Sequence, residues 1–188
     1  MTRSIRWRIL VLQLVALLVL GFSAGAGFFA STFTSQQIHD QLAPQQIAFP
    51  ASQAQGLFPD LHHYAGQQVL NGDQAHAYAE KFIARHLQTI GKGHPYSYWS
   101  GQALQATDPA VKAQDQGIAD TLFKGETLRS MLNQAWTFSV IGSIAFYAGI
   151  ALSIATLAVL AAFLFEVVEA VRERGQTSPP QRTLQAVA

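Results

Sequence analysis

The chain has 188 residues, 49% of them hydrophobic and 12% charged, with 12 Lys and Arg against 11 Asp and Glu for a net charge of +1. That balance, with no Lys/Arg stripe interleaved with aromatics, excludes the electrostatic footprint of a nucleic-acid binder. The absence of cysteine excludes disulfides, thiolate metal sites and a cysteine nucleophile. The charges are also unevenly placed. None falls between Arg8 and Asp40 and none between Arg129 and Glu166, and each gap exceeds the roughly 20 residues a helix needs to cross hydrocarbon. The sequence therefore reads as an all-α membrane protein, with two transmembrane helices and a small, mainly helical extracytoplasmic domain between them.

The chain opens on the basic stretch MTRSIRWR, residues 1–8, expected to be cytoplasmic. The apolar core that follows ends in GFSAGAGFF, residues 21–29, which admits two readings. Ala24-Gly25-Ala26 offers small residues of the kind that follow a signal peptide's apolar core. Apolar character nevertheless continues through Phe28, Phe29 and Ala30, which favours a retained span over residues 9–31. Retained, Gly21 and Gly25 form a small-xxx-small face on which another helix backbone can approach closely. That glycine is simply common in membrane helices is the competing explanation.

Residues 32–134 form the expected extracytoplasmic domain. After a short continuation of the first helix toward Leu42, residues 40–72 read as irregular: they are glutamine-rich, with Pro44, Pro50 and Pro59 among short apolar groups. Residues 73–90 are different, because Ala75, Tyr78, Ala79, Phe82, Ile83, His86, Leu87 and Ile90 fall at helical spacing on one face. Asp73 suits the N-cap of this amphipathic helix and Gly91 its stop. Residues 91–101, GKGHPYSYWSG, read as an aromatic loop in which Tyr96, Tyr98 and Trp99 either plug the domain's core or present a contact surface. Asp108-Pro109 then supplies an N-cap and first-turn pair for a helix from residue 109 that leads without a proline into the second span, with Gly117 and Gly125 as candidate bends.

The second span is expected over residues 135–168, where Ser139, Gly142, Ser143, Gly149 and Ser153 recur at three- and four-residue spacings. Lipid gives no hydrophobic drive between helices, so such small faces favour tight van der Waals packing. The tail, residues 169–188, is too short and too polar to fold alone. Arg3, Arg6 and Arg8 precede the first span, and Arg172, Arg174 and Arg182 follow the second. By the excess of positive charge on cytoplasmic flanks, both termini are expected in the cytoplasm of a multi-pass protein of the cell membrane.

Chemistry-bearing constellations are sparse. His62, His63, His76 and His94 are the weak candidates for a metal, with Asp60 beside the first pair, but no H-E-x-x-H or i, i+4 histidine pair occurs. His76 and His86 project about 80° apart around a helix axis, and His86 on the apolar stripe reads as a hydrogen-bonded core histidine. No nucleophile elbow and no phosphate loop is present. No metal site, cofactor or enzymatic activity is read from the chain. The preferred reading is a non-catalytic accessory or structural subunit of a larger membrane complex, its partners being other membrane subunits and the lipid bilayer, with association between copies left open. An extracytoplasmic ligand or metal binder using its histidines, and a two-span signalling receptor, are the alternatives.

The run AYAEKFIARH, the tyrosine-bearing loop, Asp108-Pro109 and TLRSMLNQAWTFSVIGS together resemble uncharacterised actinobacterial two-span membrane proteins with an extracytoplasmic region between the spans. The matching positions are Tyr78, Ala79, Ile83, His86, Asp108, Pro109, Leu128 and Arg129, and the glutamine-rich portion departs from the pattern. What the resemblance implies is topology. With both spans in lipid and the middle outside, the segment around Tyr98 is expected to react with impermeant reagents added to intact cells; reactivity only from the cytosolic side would overturn the assignment.

Overall fold

A computed structural model describes residues 3–176. Residues 1–2 and 177–188, with Arg182 among them, lie outside the described residues. The described chain is helical, without a strand and with one isolated antiparallel bridge, Ala48 to Gln68. Its elements are α1 (Arg3–Leu42), α2 (Gly72–His76), a π-helical segment (Ala77–Ile83), α3 (Ala84–Ile90), α4 (Tyr96–Gln105) and α5 (Pro109–Gln176). Short 3-10 turns occupy Ala43–Gln45, Gln53–Gln55 and Pro59–Tyr64. At 40 and 68 residues, α1 and α5 are each long and apolar enough to cross a membrane. The chain divides into two compact units. One holds the residues up to Phe28 and from Phe146, the other Phe29–Ala145.

In the first unit α1 and α5 run antiparallel. Arg6 grips Glu173 through two hydrogen bonds of 2.7 and 2.8 Å. Further along, Gly21 faces Thr156, and Gly149 lies against Ala24 and Phe28. The fit at Gly149 is close: a Cβ there would sit 3.2 Å from both the Ala24 carbonyl oxygen and the Phe28 ring. Phe28 in turn meets Phe146 edge-on at 5.7 Å. The remaining apolar surface is largely uncovered, with Leu12, Leu18, Phe22, Ile154, Leu157 and Phe165 all at least 63% exposed.

The second unit has a true core. Ile38 and Leu42 of α1, Ala119, Leu122 and Leu132 of α5, and Ala75, Ala79, Ile83 and Leu87 of the α2–α3 run converge on it. Burying each of the larger side chains contributes roughly 1.5–3 kcal/mol. The glutamine-rich segment, expected to be irregular, has only the short 3-10 turns and the isolated bridge, and the same effect holds it in place: Phe49, Leu57, Leu61 and Val69 are buried, Leu61 and Val69 completely. Phe49 stacks on Tyr64 at 4.9 Å and meets Tyr78 edge-on at 5.0 Å. Backbone bonds Phe49 N to Gln67 O (2.9 Å) and Val69 N to Ile47 O (2.8 Å) close the segment on itself, and Arg85 clamps Asp60 at 2.7 and 2.9 Å.

Three local expectations are corrected. The helix after residue 70 is capped by Asn71, not Asp73: Asn71 has extended backbone, and its side-chain oxygen accepts from the Gln74 N–H at 2.9 Å. Asp73 lies inside the first turn, where its charge complements the helix dipole. Residues 73–90 are not one α-helix. The buried positions Ala75, Ala79, Ile83 and Leu87 recur every four residues, which on a 3.6-residue helix drifts by about 40° per step. The wider π turn over Ala77–Ile83 absorbs that drift. Finally, residues 91–101 are a loop only as far as Pro95, after which α4 begins. Trp99 and Ala103, four residues apart, are buried along α4, and the Trp99 indole N–H donates to the Gly91 carbonyl at 2.8 Å. Asp108 caps α5 by accepting from the Ala110 and Val111 N–H groups, and α5 continues unbroken through Gly117 and Gly125.

Gly72 and Gly117 separate packing from propensity. A Cβ at Gly72 would collide with the Ser139 side chain and come within 3.3 Å of the Trp136 Cα, whereas nothing lies within 4 Å of one at Gly117. Gly72→Ala is expected to destabilise the chain by about 1–3 kcal/mol through overpacking. Gly117→Ala is expected to stabilise it by up to about 1 kcal/mol through helix propensity. Chemical denaturation of the full chain in detergent reads both.

Candidate functional site

The polar groups that sequence spacing does not connect are assembled on α5. Glu80, in the π segment, receives Arg129 Nη2 at 2.6 Å and Nε at 3.1 Å, and the Asn133 amide at 2.5 Å. Asn133 Oδ1 is paired with His76 Nδ1 at 3.2 Å, and the His76 ring stacks on Trp136 at 4.2 Å. Arg129 also reaches Glu126, one turn earlier on its own helix, at 3.2 Å. The guanidinium of Arg129, and after it the Asn133 amide, hold the Glu80 carboxyl below its ordinary value of 4.5. Every member of this half-buried network is bonded to another, so it clamps α2, the π segment and α5 together.

Beside it, within the same unit, lies an open groove of about 760 Å³. Its walls are formed by α1 residues Phe33 to Leu42, the following Pro44 to Ile47, and α5 residues Leu128 to Phe138. Phe33, Met131 and Phe138 are 55–62% exposed. The polar lining comes from Thr34, Gln37, Asp40, Gln41, Gln45 and Gln134. Asp40, adjacent to His39 at 3.4 Å, is the one charged residue among them. Its volume falls within the roughly 300–1,000 Å³ of small-molecule sites.

The residues singled out by sequence are distributed unevenly over this frame. Gly149 and Gly142 are packed within the chain, Gly142 with a Cβ direction 3.4 Å from Thr34. Gly21 is only loosely covered, and Gly25 has nothing within 4 Å of its Cβ direction, so its face is open. The serines turn their hydroxyls back on their own helix: Ser139 to Trp136 O, Ser143 to Ser139 O and Ser153 to Gly149 O, at 2.8–3.0 Å. Tyr96 and Tyr98 are exposed while Trp99 is buried, so the aromatic cluster divides between surface and core.

The histidines are scattered. His62 pairs with Gln53 at 2.9 Å, the His63 ring lies 4.0 Å from that of Tyr64, and His94 stacks on Tyr98 at 4.0 Å. His86 bonds the Phe82 carbonyl at 2.9 Å against Phe58. Among the described residues no three His, Asp or Glu side chains are grouped to hold a metal ion. Sequence reasoning missed the groove, although Phe33, Gln37 and Gln41 stand at i, i+4 and i+8, and it missed the Glu80–Arg129 pair, which carries no local sign.

No protein family, curated protein or solved structure matches this chain.

Because the folded state lowers the pKa of Glu80, its contribution is complete above the ordinary glutamate value and is lost as pH falls through the lower folded value. Wild-type protein is therefore expected to lose stability on acidification below about 4.5. Glu80→Gln should be roughly 1–3 kcal/mol less stable at neutral pH and show a shallower acid limb. Unfolding followed from neutral into acid pH measures both.

Proposed function

We propose that the protein is a non-catalytic accessory subunit of a membrane complex, spanning the bilayer with α1 and α5 and carrying residues 32–134 on the outer side. The observation that carries this reading is the bareness of the long helices. In the most apolar stretch of each, only 6% is buried inside the chain. A surface of that extent is stable only against lipid or against other helices. Backbone groups are satisfied within each helix, as hydrocarbon requires.

Two further features support a docking role. The polar clusters with unusual charge environments, Glu80 with Arg129 and Asp60 with Arg85, are consumed in bonds that hold the fold. Meanwhile the Gly25 face of α1 is bare, and a small bare face suits the close approach of a partner backbone. The orientation rests on Arg3, Arg6 and Arg8 before the first span and Arg172 and Arg174 after the second. Exposed Tyr96 and Tyr98 supply aromatic surface on the outer unit for contact with a partner's outer face.

Purification in mild detergent followed by mass measurement is expected to recover the chain with other membrane subunits. Gly21→Leu combined with Gly25→Leu is expected to release them while membrane insertion persists. Recovery of an isolated monomer, or association unchanged by the double substitution, would refute the reading.

A further inference from the structure

We infer that the groove between the outer end of α1 and α5 binds a lipid with an uncharged, hydroxyl-rich headgroup; the inference rests on the membrane reading above. The groove combines two surfaces. Ile38, Leu42, Leu132 and Ala135 provide apolar wall continuous with the core, and Phe33 and Phe138 extend that wall along the two helices. Around it stand Gln37, Gln41, Gln45 and Gln134, all exposed. Among the described residues none of these four side-chain amides is hydrogen bonded within the protein.

The charge of the lining selects the ligand. It contains no Lys, Arg or His to neutralise a phosphate, and its single charge, Asp40, repels one. An anionic phospholipid headgroup is therefore mismatched. A primary amide both donates and accepts, as a hydroxyl does, so four amides with Thr34 and Asp40 match a headgroup bearing several hydroxyls. A ligand with carbonyls alone would leave half of that capacity unused. The exposed faces of Phe33 and Phe138 suit either the acyl chains or the apolar face of a sugar ring. The position, at the outer ends of the expected spans 9–31 and 135–168, with Phe33 just past the first and Ala135 and Phe138 in the first turn of the second, is where headgroup and chain of one lipid separate.

The test uses the full chain in a polyoxyethylene detergent, whose headgroup is not itself a sugar. Digalactosyldiacylglycerol and phosphatidylglycerol with matched acyl chains are supplied in equal amounts, and retained lipid is counted by native mass spectrometry. Retention of the galactolipid over the phospholipid by roughly tenfold or more is expected. Gln41→Ala with Gln134→Ala, both at exposed positions, should reduce that preference several-fold, and Met131→Trp should block the groove while leaving the circular dichroism unchanged. Equal retention of the two lipids, preference for phosphatidylglycerol or for an added isoprenoid quinone, or selectivity unaltered in all variants would overturn the inference. If selectivity fails while the chain resists alkaline extraction from membranes, the lipid assignment alone falls; release of the chain into the aqueous phase overturns the membrane reading and the inference together.

Discussion

The architecture depends on a constraint of solvation: α1 and α5 present far more apolar surface than the described residues cover. Over the most apolar stretch of each, only 6% is buried among the described residues. What the chain does bury, it buries sparingly. In the first unit Gly149 admits Ala24 and Phe28 at contact distance, and the bidentate Arg6–Glu173 pair ties the helices near their ends. With its Glu173 carboxylate 59% exposed, that ion pair contributes orientation more than energy.

The second unit is held by different means. Small residues at Ala75, Ala77 and Ala79 bring the π segment close to its neighbours, and Gly72 brings the start of α2 onto Ser139 and Trp136. Such proximity leaves no room for bulk, so polar groups must be paired where they meet. Glu80, Arg129, Asn133 and His76 form one connected set for that reason. A π segment at this point is not incidental: it is the local cost of keeping Ala75, Ala79, Ile83 and Leu87 on one face while Glu80 reaches α5.

The two readings of function divide the molecule between them. In the proposed role the bare apolar faces and the open Gly25 position serve association with lipid and other helices. The groove, with its four unengaged amides, is distinct from those faces because its polarity is uncharged and concentrated. A site of this kind is compatible with a subunit that holds a lipid at the rim of a larger assembly, so the lipid assignment refines the docking role.

Several elements were legible in the residues alone. Uncharged stretches longer than a bilayer thickness predict the two long helices, Asp108-Pro109 predicts the start of α5, and the apolar stripe through Ile83 and Leu87 predicts a helix facing a core. These are local or periodic signals, written within one or two turns. Only the tertiary structure decided the rest. Val69, Leu61 and Phe49 join one core with residues of α1, α5 and the α2–α3 run, with Phe49 against Tyr78 and Phe58 against Phe82 and His86, which fixes a glutamine- and proline-rich stretch in place. Glu80 meets Arg129 across 49 residues and Arg6 meets Glu173 across 167. The groove takes its lining from α1 and α5 at once. Composition and period determine which segments become helices and which faces are apolar, because those depend on neighbours in the chain; pairing and cavity shape depend on distant segments brought together, and no local pattern carries that information.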